Sequence, residues 1–392
     1  MKYIFKLKNQ VKHYEWGSPS LIQELLNVPG DDSPWAELWM GVHPQGASET
    51  ECGTLSALIA GDPHRFLGNY PALPFLFKVL AASRPLSIQA HPNRQQAQEG
   101  FRRENEAGIA RNAPNRNYKD SNHKPEILCA LTPFKALCGF RTQEEIQERL
   151  TLLFKDPTGL LKTTSAVLQE SLAADVKTFL NTLLTLSQDN RHSLTELFQA
   201  QNQSFSEQFP EWRLCAAFAQ QYPDDPALIA PLYLNVIDLT PGQAIYLPAG
   251  ILHAYISGLG VELMANSDNV LRGGLTSKYV DRAELFHILD FSPFSPAILR
   301  PEQDVYPTPS EEFSLSVYNS RSLVSTLPVP RIVLNTKGIA SLSISGETCT
   351  LRRGESAFIP AYTAGSGLTI SGDDYTIYQA SAGGKGAKLF TE

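Results

Sequence analysis

Short apolar runs punctuated by Gly, Pro, Asn and Asp fill both ends of the chain, while a helical period of apolar positions fills its middle. Near the start, Tyr14–Gly17 and Ala36–Gly41 read as strands anchored by Trp16 and Trp39. Glu37 and His43 lie beside these anchors, placed for either a cap or a site. Leu73–Leu80 reads as a buried strand. Pro85–Pro92 reads as another, ended by Pro92, which has no N–H to give to a ladder. Ser87, Gln89 and His91 share one face of it, and Leu86 and Ile88 share the other. A strand with such a polar face lines a cavity. Residues 93–110 follow as a helix rich in Arg, Gln and Glu, and 111–122 as a loop. Glu126 then opens the apolar strand Ile127–Leu131.

From residue 142 the period changes. Gln143–Phe154, Thr164–Leu186, Ser193–Gln201 and Trp212–Gln221 carry apolar residues at helical spacing with few β-branched side chains. Strand character returns at Ala230–Val236 and leads into Leu239–Lys278. There Gly242 and Gly250 bracket an apolar run that closes on Pro248, a strand–turn–strand unit. It delivers His253 to the start of a strand, with Tyr255 on the same face. Glu262, the polar run Asn266–Asn269, Arg272 and Lys278 follow. Past about residue 300 the chain is rich in Pro and Ser, then returns to short strands. Leu239, Gly242, Pro248 and Ala249 recur as Leu351, Gly354, Pro360 and Ala361, at a constant offset of 112 residues. Gly365 stands where the first copy has His253, so the second copy keeps the scaffold and lacks the ligand. These patterns predict a mainly β protein with an α-helical insertion. Residues 1–141 and 228–300 form a discontinuous site-bearing domain, 142–227 a helical domain, and 301–392 a second β-domain without a site.

At 392 residues the chain can build two or three cores. A net charge of −7 without a basic block argues against a nucleic-acid partner, so any phosphate contact is a local pocket of a few cations. The five cysteines are scattered and form no CxxC, the usage of a reduced intracellular protein. No apolar leader or membrane-length run is present, which points to a soluble, cytoplasmic chain with no membrane partner. Gln89, His91, Glu126 and His253 together offer two imidazoles, a carboxylate and an amide oxygen. Two histidines with a carboxylate suit a zinc ion that keeps an open position, and the same donors admit Mn, Fe or Co.

Gly242, Pro248, Gly250 and His253 in G-x5-P-x-G-x2-H resemble the second motif of the cupin β-barrels. Gln89-x-His91 stands where the first cupin motif begins His-x-His, with its Glu displaced to 126. Two longer stretches, YKDSNHKPE (118–126) and HAYISGLGVELMANSDNVLRGGLTSK (253–278), resemble the signatures of the type I mannose-6-phosphate isomerases. WGS at 16–18, AELWMGVHP at 36–44 and LPFLFKVLAASRPLSIQAHPN at 73–93 resemble the same family. The likeness is close over residues 10–300 and looser beyond. Gly273 and Ser277 depart from the usual Ala and Pro.

This resemblance implies two cupin/jelly-roll-like β-domains plus a helical domain, with one Zn2+ per subunit on Gln89, His91, Glu126 and His253. It implies an aldose–ketose isomerase that interconverts mannose 6-phosphate and fructose 6-phosphate, the sugar phosphate being its partner. A proton would leave C2, pass through an enediol and return at C1. Arg272 would stabilise the developing oxyanion. Candidates for the base are Glu262, Lys124, His123 and a hydroxide on the ion, with Asp268 orienting Lys124 or Arg272. Tyr255 would pack on the sugar or hold a hydroxyl, and Lys78, Arg94 and Lys278 are candidates for the phosphate. Two alternatives stay open: another metal-dependent cupin enzyme such as an oxygenase, and a non-enzymatic sugar-phosphate-binding cupin. The expected assembly is a monomer, with a dimer as the alternative.

Overall fold

In the computed structural model, residues 1–155, 157–200, 210–319, 323–325, 328–363 and 365–383 are described. Gln201 of the expected helix and the final residues of the second β-domain lie outside them. The fold is mainly β, with two cupin-like β-domains and a group of helices between strands of the first.

The first assembly centres on Phe75–Ala82, whose eight residues are all buried. Its apolar run FLFKVLAA is interrupted only by Lys78, as befits a strand covered on both faces. It pairs with Glu37–Met40 on one side and with His253–Ala265 on the other. This last strand serves two neighbourhoods. Its first part, His253–Ser257, pairs with Phe134–Phe140, and its second part, Gly258–Ala265, with Phe75–Ala82 and Glu126–Ala130. The change of partners falls at Gly258, where φ is +120° and a Cβ would stand 2.6 Å from the Pro133 carbonyl. Only glycine fits there. The strand Ile88–Ala90 lies between His253 and the strand Leu271–Gly274.

The helices Gln143–Leu153, Leu160–Ala174, Val176–Leu184, Gln188–Ala200 and Pro210–Gln221 form the insertion. A capping box between Thr142 and Glu145 starts it. The expected helix Thr164–Leu186 is two helices. Asp175 adopts extended backbone and its side chain caps Thr178 N–H, which ends one helix and opens the next. The helical residues Phe179, Leu183, Phe218 and Tyr233 share a core with Ile88, Leu137, Leu252 and Leu271. The insertion therefore packs against the outside of the strands that carry Gln89, His253 and Arg272.

The second assembly joins Phe313–Asn319, Arg331–Ile344, Glu347–Arg352, Ser356–Ile359 and Leu368–Ala382. The internal echo is visible in space. Ala244–Leu247 and Ser356–Ile359 occupy matching positions, and the turn glycines Gly242 and Gly354 have φ of +83° and +82°. The chain's own start, Phe5–Leu7, pairs with Ser356–Ile359. Phe5, Leu38, Phe77 and Val261 meet Tyr306, Phe313, Ile332 and Phe358 in one core between the two assemblies.

Two local expectations are corrected. Tyr14–Gly17 is a turn, closed by Gly17 N–H on the Tyr14 carbonyl at 2.9 Å, and the strand is Gln10–Lys12. Gly17 lets this turn press on Ala36, whose backbone nitrogen would lie 2.6 Å from an added Cβ. Ala230–Tyr233 is a helical turn, so strand structure starts at Leu234.

Candidate active site

Cross-strand register brings the polar residues together. Gln89 has the Cα of His253 opposite on one side and that of Arg272 opposite on the other. Directly opposed residues project from the same face, so His253, Gln89 and Arg272 form a row across three strands. A second row is Glu262, Lys78 and Trp39. Glu126 lies opposite Met264, two residues along from Glu262. Both rows face a cavity of about 710 Å³ whose lining includes Gln89, Glu126, Tyr255, Glu262, Asp268 and Arg272.

His91, Glu126 and His253 are almost wholly buried and converge. Their donor atoms lie within 4.8 Å of one another. His91 Nε2 is 3.5 Å from Glu126 Oε1, and His253 Nε2 is 3.7 Å from Glu126 Oε2. Each imidazole donates its Nδ1–H to a backbone carbonyl, His91 to Asn269 at 2.7 Å and His253 to Ile251 at 2.9 Å. That choice of tautomer leaves both Nε2 lone pairs aimed at the carboxylate, with no hydrogen bond to either. Burial, and next Lys124, pushes His91 down, and burial with His91 beside it takes His253 to about 4, so both rings are neutral near pH 7. Burial opposes charge on Glu126, yet the Lys124 ammonium holds it well below the ordinary carboxylate range. Lys124 Nζ stands 2.9 Å from Glu126 Oε1, outside hydrogen-bond geometry. Two neutral imidazole lone pairs facing an ionised carboxylate require a cation between them. The residues fit a metal ion, and Gln89 presents its amide to the same cavity.

One buried side chain holds this cluster to its loop. Asn269 accepts from Lys119 N–H at 2.7 Å through its Oδ1, and donates through Nδ2 to the carbonyls of Asp120 and Asn122, both at 2.9 Å. Its own carbonyl receives His91. The loop bearing Lys124 and Glu126 is thereby fixed relative to His91.

Lys78 is buried between two carboxylates, 3.1 Å from Glu262 Oε2 and 3.4 Å from Glu37 Oε1. Burial opposes its charge, and Glu262 and Glu37 more than restore it, so Lys78 stays a cation above its ordinary range. Glu262 is pushed up by burial, with Lys78 pulling the other way and Glu126 and Glu37 adding to the rise. Trp39 Nε1–H donates to Glu37 at 2.7 Å. Asp268 meets His43 at 3.3 Å, so Glu37 and His43 both belong to the site. Tyr255 OH is 3.5 Å from Glu126 Oε2.

Arg272 and Lys278 stand at one end of the cavity. Burial lowers both, and Arg272 and Lys119 lower Lys278 further. Among the described residues no carboxylate pairs with Arg272. Lys119 joins them on the rim, a residue that sequence reasoning did not single out although it lies within the signature 118–126.

Two expected site residues point elsewhere. His123 and Arg94 both contact Glu312 Oε1, at 2.5 and 2.6 Å, and neither lines the cavity. His123 adjoins Lys124 in sequence, and successive side chains of an extended segment point opposite ways. Lys124 turns in toward Glu126 and His123 turns out.

A β-barrel interior holding two imidazoles and a carboxylate, open to a cavity lined by both cations and carboxylates, is the arrangement of a metal-dependent cupin enzyme. The chain's relatives narrow that class. Residues 4–143 match the phosphomannose isomerase type I catalytic domain. The chain is 37% identical over 387 residues to mannose-6-phosphate isomerase of Escherichia coli, covering 94% of this chain and 97% of that one. It is 33% identical to mannose-6-phosphate isomerase 1 of Arabidopsis thaliana, covering 91% and 89%. A crystal structure of a zinc-bound mannose 6-phosphate isomerase superposes with a TM-score of 0.86 at 34% identity, over 97% of this chain and 100% of the other. The chain belongs to the type I mannose-6-phosphate isomerase family.

Proposed function

We propose that the protein interconverts D-mannose 6-phosphate and D-fructose 6-phosphate. The observation that carries this reading is the row of His253, Gln89 and Arg272, which sets a metal-ligand cluster beside a guanidinium that no carboxylate among the described residues pairs with. The isomerase relatives, matched over nearly the whole chain, weigh against the oxygenase and non-enzymatic alternatives.

One Zn2+ per subunit, held by Gln89, His91, Glu126 and His253, would act as a Lewis acid toward the sugar oxygens at C1 and C2. The chain's own residues do the rest. Glu262 carries a carboxylate that burial raises above its ordinary value, the direction a base needs to take a proton from carbon and return it. Lys78 holds that carboxylate in place without losing its own proton. Arg272 keeps its charge at any working pH and stabilises the oxyanion that develops as the C2 proton leaves. Lys278 and Lys119 receive the phosphate. Tyr255 closes the cavity wall beside Glu126, and Asp268, paired with His43, bounds its opposite side. Lys124 compensates the charge of Glu126. Residues 1–141 with 228–300 act as the catalytic unit, 142–227 as the helical domain and 301–392 as a non-catalytic β-domain. No helix among the described residues is long and apolar enough to cross a membrane. A cytoplasmic monomer without a nucleic-acid partner belongs to the same proposal.

The test is metal content measured beside turnover of mannose 6-phosphate. About one zinc per chain, with turnover lost on chelation and restored by zinc, is the expected result. Turnover that survives complete removal of metal would overturn the assignment.

A further inference from the structure

The helical insertion lines the site cavity with Gln221, Tyr222, Pro223 and Asp225, and Asp225 is the carboxylate among them. Asp225, at the insertion's end, caps the short helical turn Pro226–Ile229 by accepting Ala227 N–H on Oδ1 at 2.9 Å. Its other oxygen, Oδ2, accepts Thr276 N–H at 3.3 Å, and Leu275 N–H is directed to the same group. The segment it grips joins Arg272 to Lys278. That segment is under backbone strain: Leu275 is buried with φ of +51°, and Gly274 has φ of +138°. A Cβ on Gly274 would lie 2.2 Å from Ala227 Cβ and 3.1 Å from Asp225 Oδ1. A left-handed leucine persists only where its surroundings hold it, and the polar hold here is Asp225.

We propose that Asp225 is a positioning residue through which the helical insertion sets the phosphate-binding cations. By fixing Leu275 and Thr276 it places Lys278 beside Arg272 and Lys119, so the insertion governs the preference for a phosphorylated sugar. This rests on the reading of Lys278 as a phosphate contact. The bland alternative is that Asp225 only caps the turn that follows it.

Asp225→Asn separates the two, because asparagine caps a helix as well as aspartate. The amide puts an NH2 donor where one carboxylate oxygen stood, so it can accept at the Ala227 position or at the Thr276 position and turns a donor toward the other N–H. The zinc-loaded enzyme would be assayed for KM and kcat with mannose 6-phosphate, for competitive inhibition by inorganic phosphate, for bound metal and for melting midpoint. Lys278→Ala is measured alongside. The expected result is a rise in KM and in the phosphate inhibition constant on the order of five- to thirtyfold in both variants, with metal content of Asp225→Asn unchanged and its melting midpoint lowered but well above the assay temperature. Wild-type values for Asp225→Asn beside a weakened Lys278→Ala would overturn the role of Asp225 alone. Wild-type values for Lys278→Ala would overturn the phosphate reading, and with it the proposed route from Asp225, even if Asp225→Asn were impaired.

Discussion

The two β-domains carry the same strand–turn–strand unit, with matching strands at Ala244–Leu247 and Ser356–Ile359, and they fill their interiors in opposite ways. The first encloses His91, Glu126, His253, Lys78 and Glu262. The second encloses Val333, Leu342, Ile344, Leu351, Leu368 and Ile370, and its buried polar groups, such as Arg331, Asn335 and Gln379, include no carboxylate or imidazole among the described residues. Both keep the turn glycine in the left-handed region, so backbone geometry is indifferent to what the barrel holds. What differs is the balance of charge. Burying an ionised group is costly unless it is paired. In the first domain Lys78 stands between Glu37 and Glu262, Lys124 meets Glu126, and the two imidazoles remain neutral. In the second, Gly365, 112 residues on from His253, lies in an exposed turn ahead of the strand Leu368–Ala382 rather than at the interior. The scaffold thus makes a site possible, and a small set of mutually compensating side chains makes it real.

The comparison breaks most sharply at His253. His253→Ala should remove bound metal and lower turnover by on the order of 10³-fold or more, with the fold retained by circular dichroism. The reciprocal change, Gly365→His, should leave metal stoichiometry unaltered, since Gly365 lies in an exposed turn where an added side chain meets open space. Stoichiometric metal in His253→Ala would dissolve the distinction. Next comes Arg272→Ala, expected to keep its metal and a near-normal KM while kcat falls on the order of 10²–10³-fold. A large rise in KM with kcat retained would show that Arg272 only binds.

Stability should respond the other way round. Leu342→Ala, in the apolar interior, should cost about 2–5 kcal/mol in denaturant unfolding and leave kcat of the folded enzyme near wild type. The smallest effect lies at the seam. Glu312, beside the second domain's strand Phe313–Asn319, accepts from Arg94 and His123 of the first. Burial opposes its charge, but His123 and Ser310 hold it down at about 2, below its ordinary value of 4.5. A depressed carboxylate contributes stability above its ordinary pKa and loses it as pH falls through the folded value. Glu312→Gln should therefore flatten the stability profile between about pH 4.5 and 2, by less than about 1 kcal/mol after solvent screening. An unchanged acid limb would argue that the seam draws nothing from this pair.

Much of the site was legible in the sequence because it rests on alternation and signature. Gln89 and His91 announce themselves as neighbours on one face, and the run 253–278 carries the remaining groups. The helical insertion was legible from its period. Loops were not. Nothing in YKDSNHKPE says that Lys119 and Lys124 turn inward while His123 turns to Glu312, since the direction of a loop side chain is set by tertiary contacts such as those of Asn269. Tyr14–Gly17 has the composition of a strand, and only its close approach to Ala36 makes it a turn. Asp225 was hidden for another reason: its partners Leu275 and Thr276 are fifty residues away and are met through backbone N–H groups, which leave no trace in side-chain pattern.

The strand pairing of Phe5–Leu7 with Ser356–Ile359 has a consequence in time. Phe5 and Phe358 are neighbours in the sheet but about 350 residues apart in the chain. At a synthesis rate of about 5–20 residues per second, the first strand waits roughly 20–70 s for its partner to be made. Throughout that interval it is an open edge with an apolar face, the kind of surface that recruits wrong partners. Tyr3 and Ile4 wait as well, because their N–H groups are received by Glu347. Residues made about 350 positions ahead of their partners are among the last to find their place.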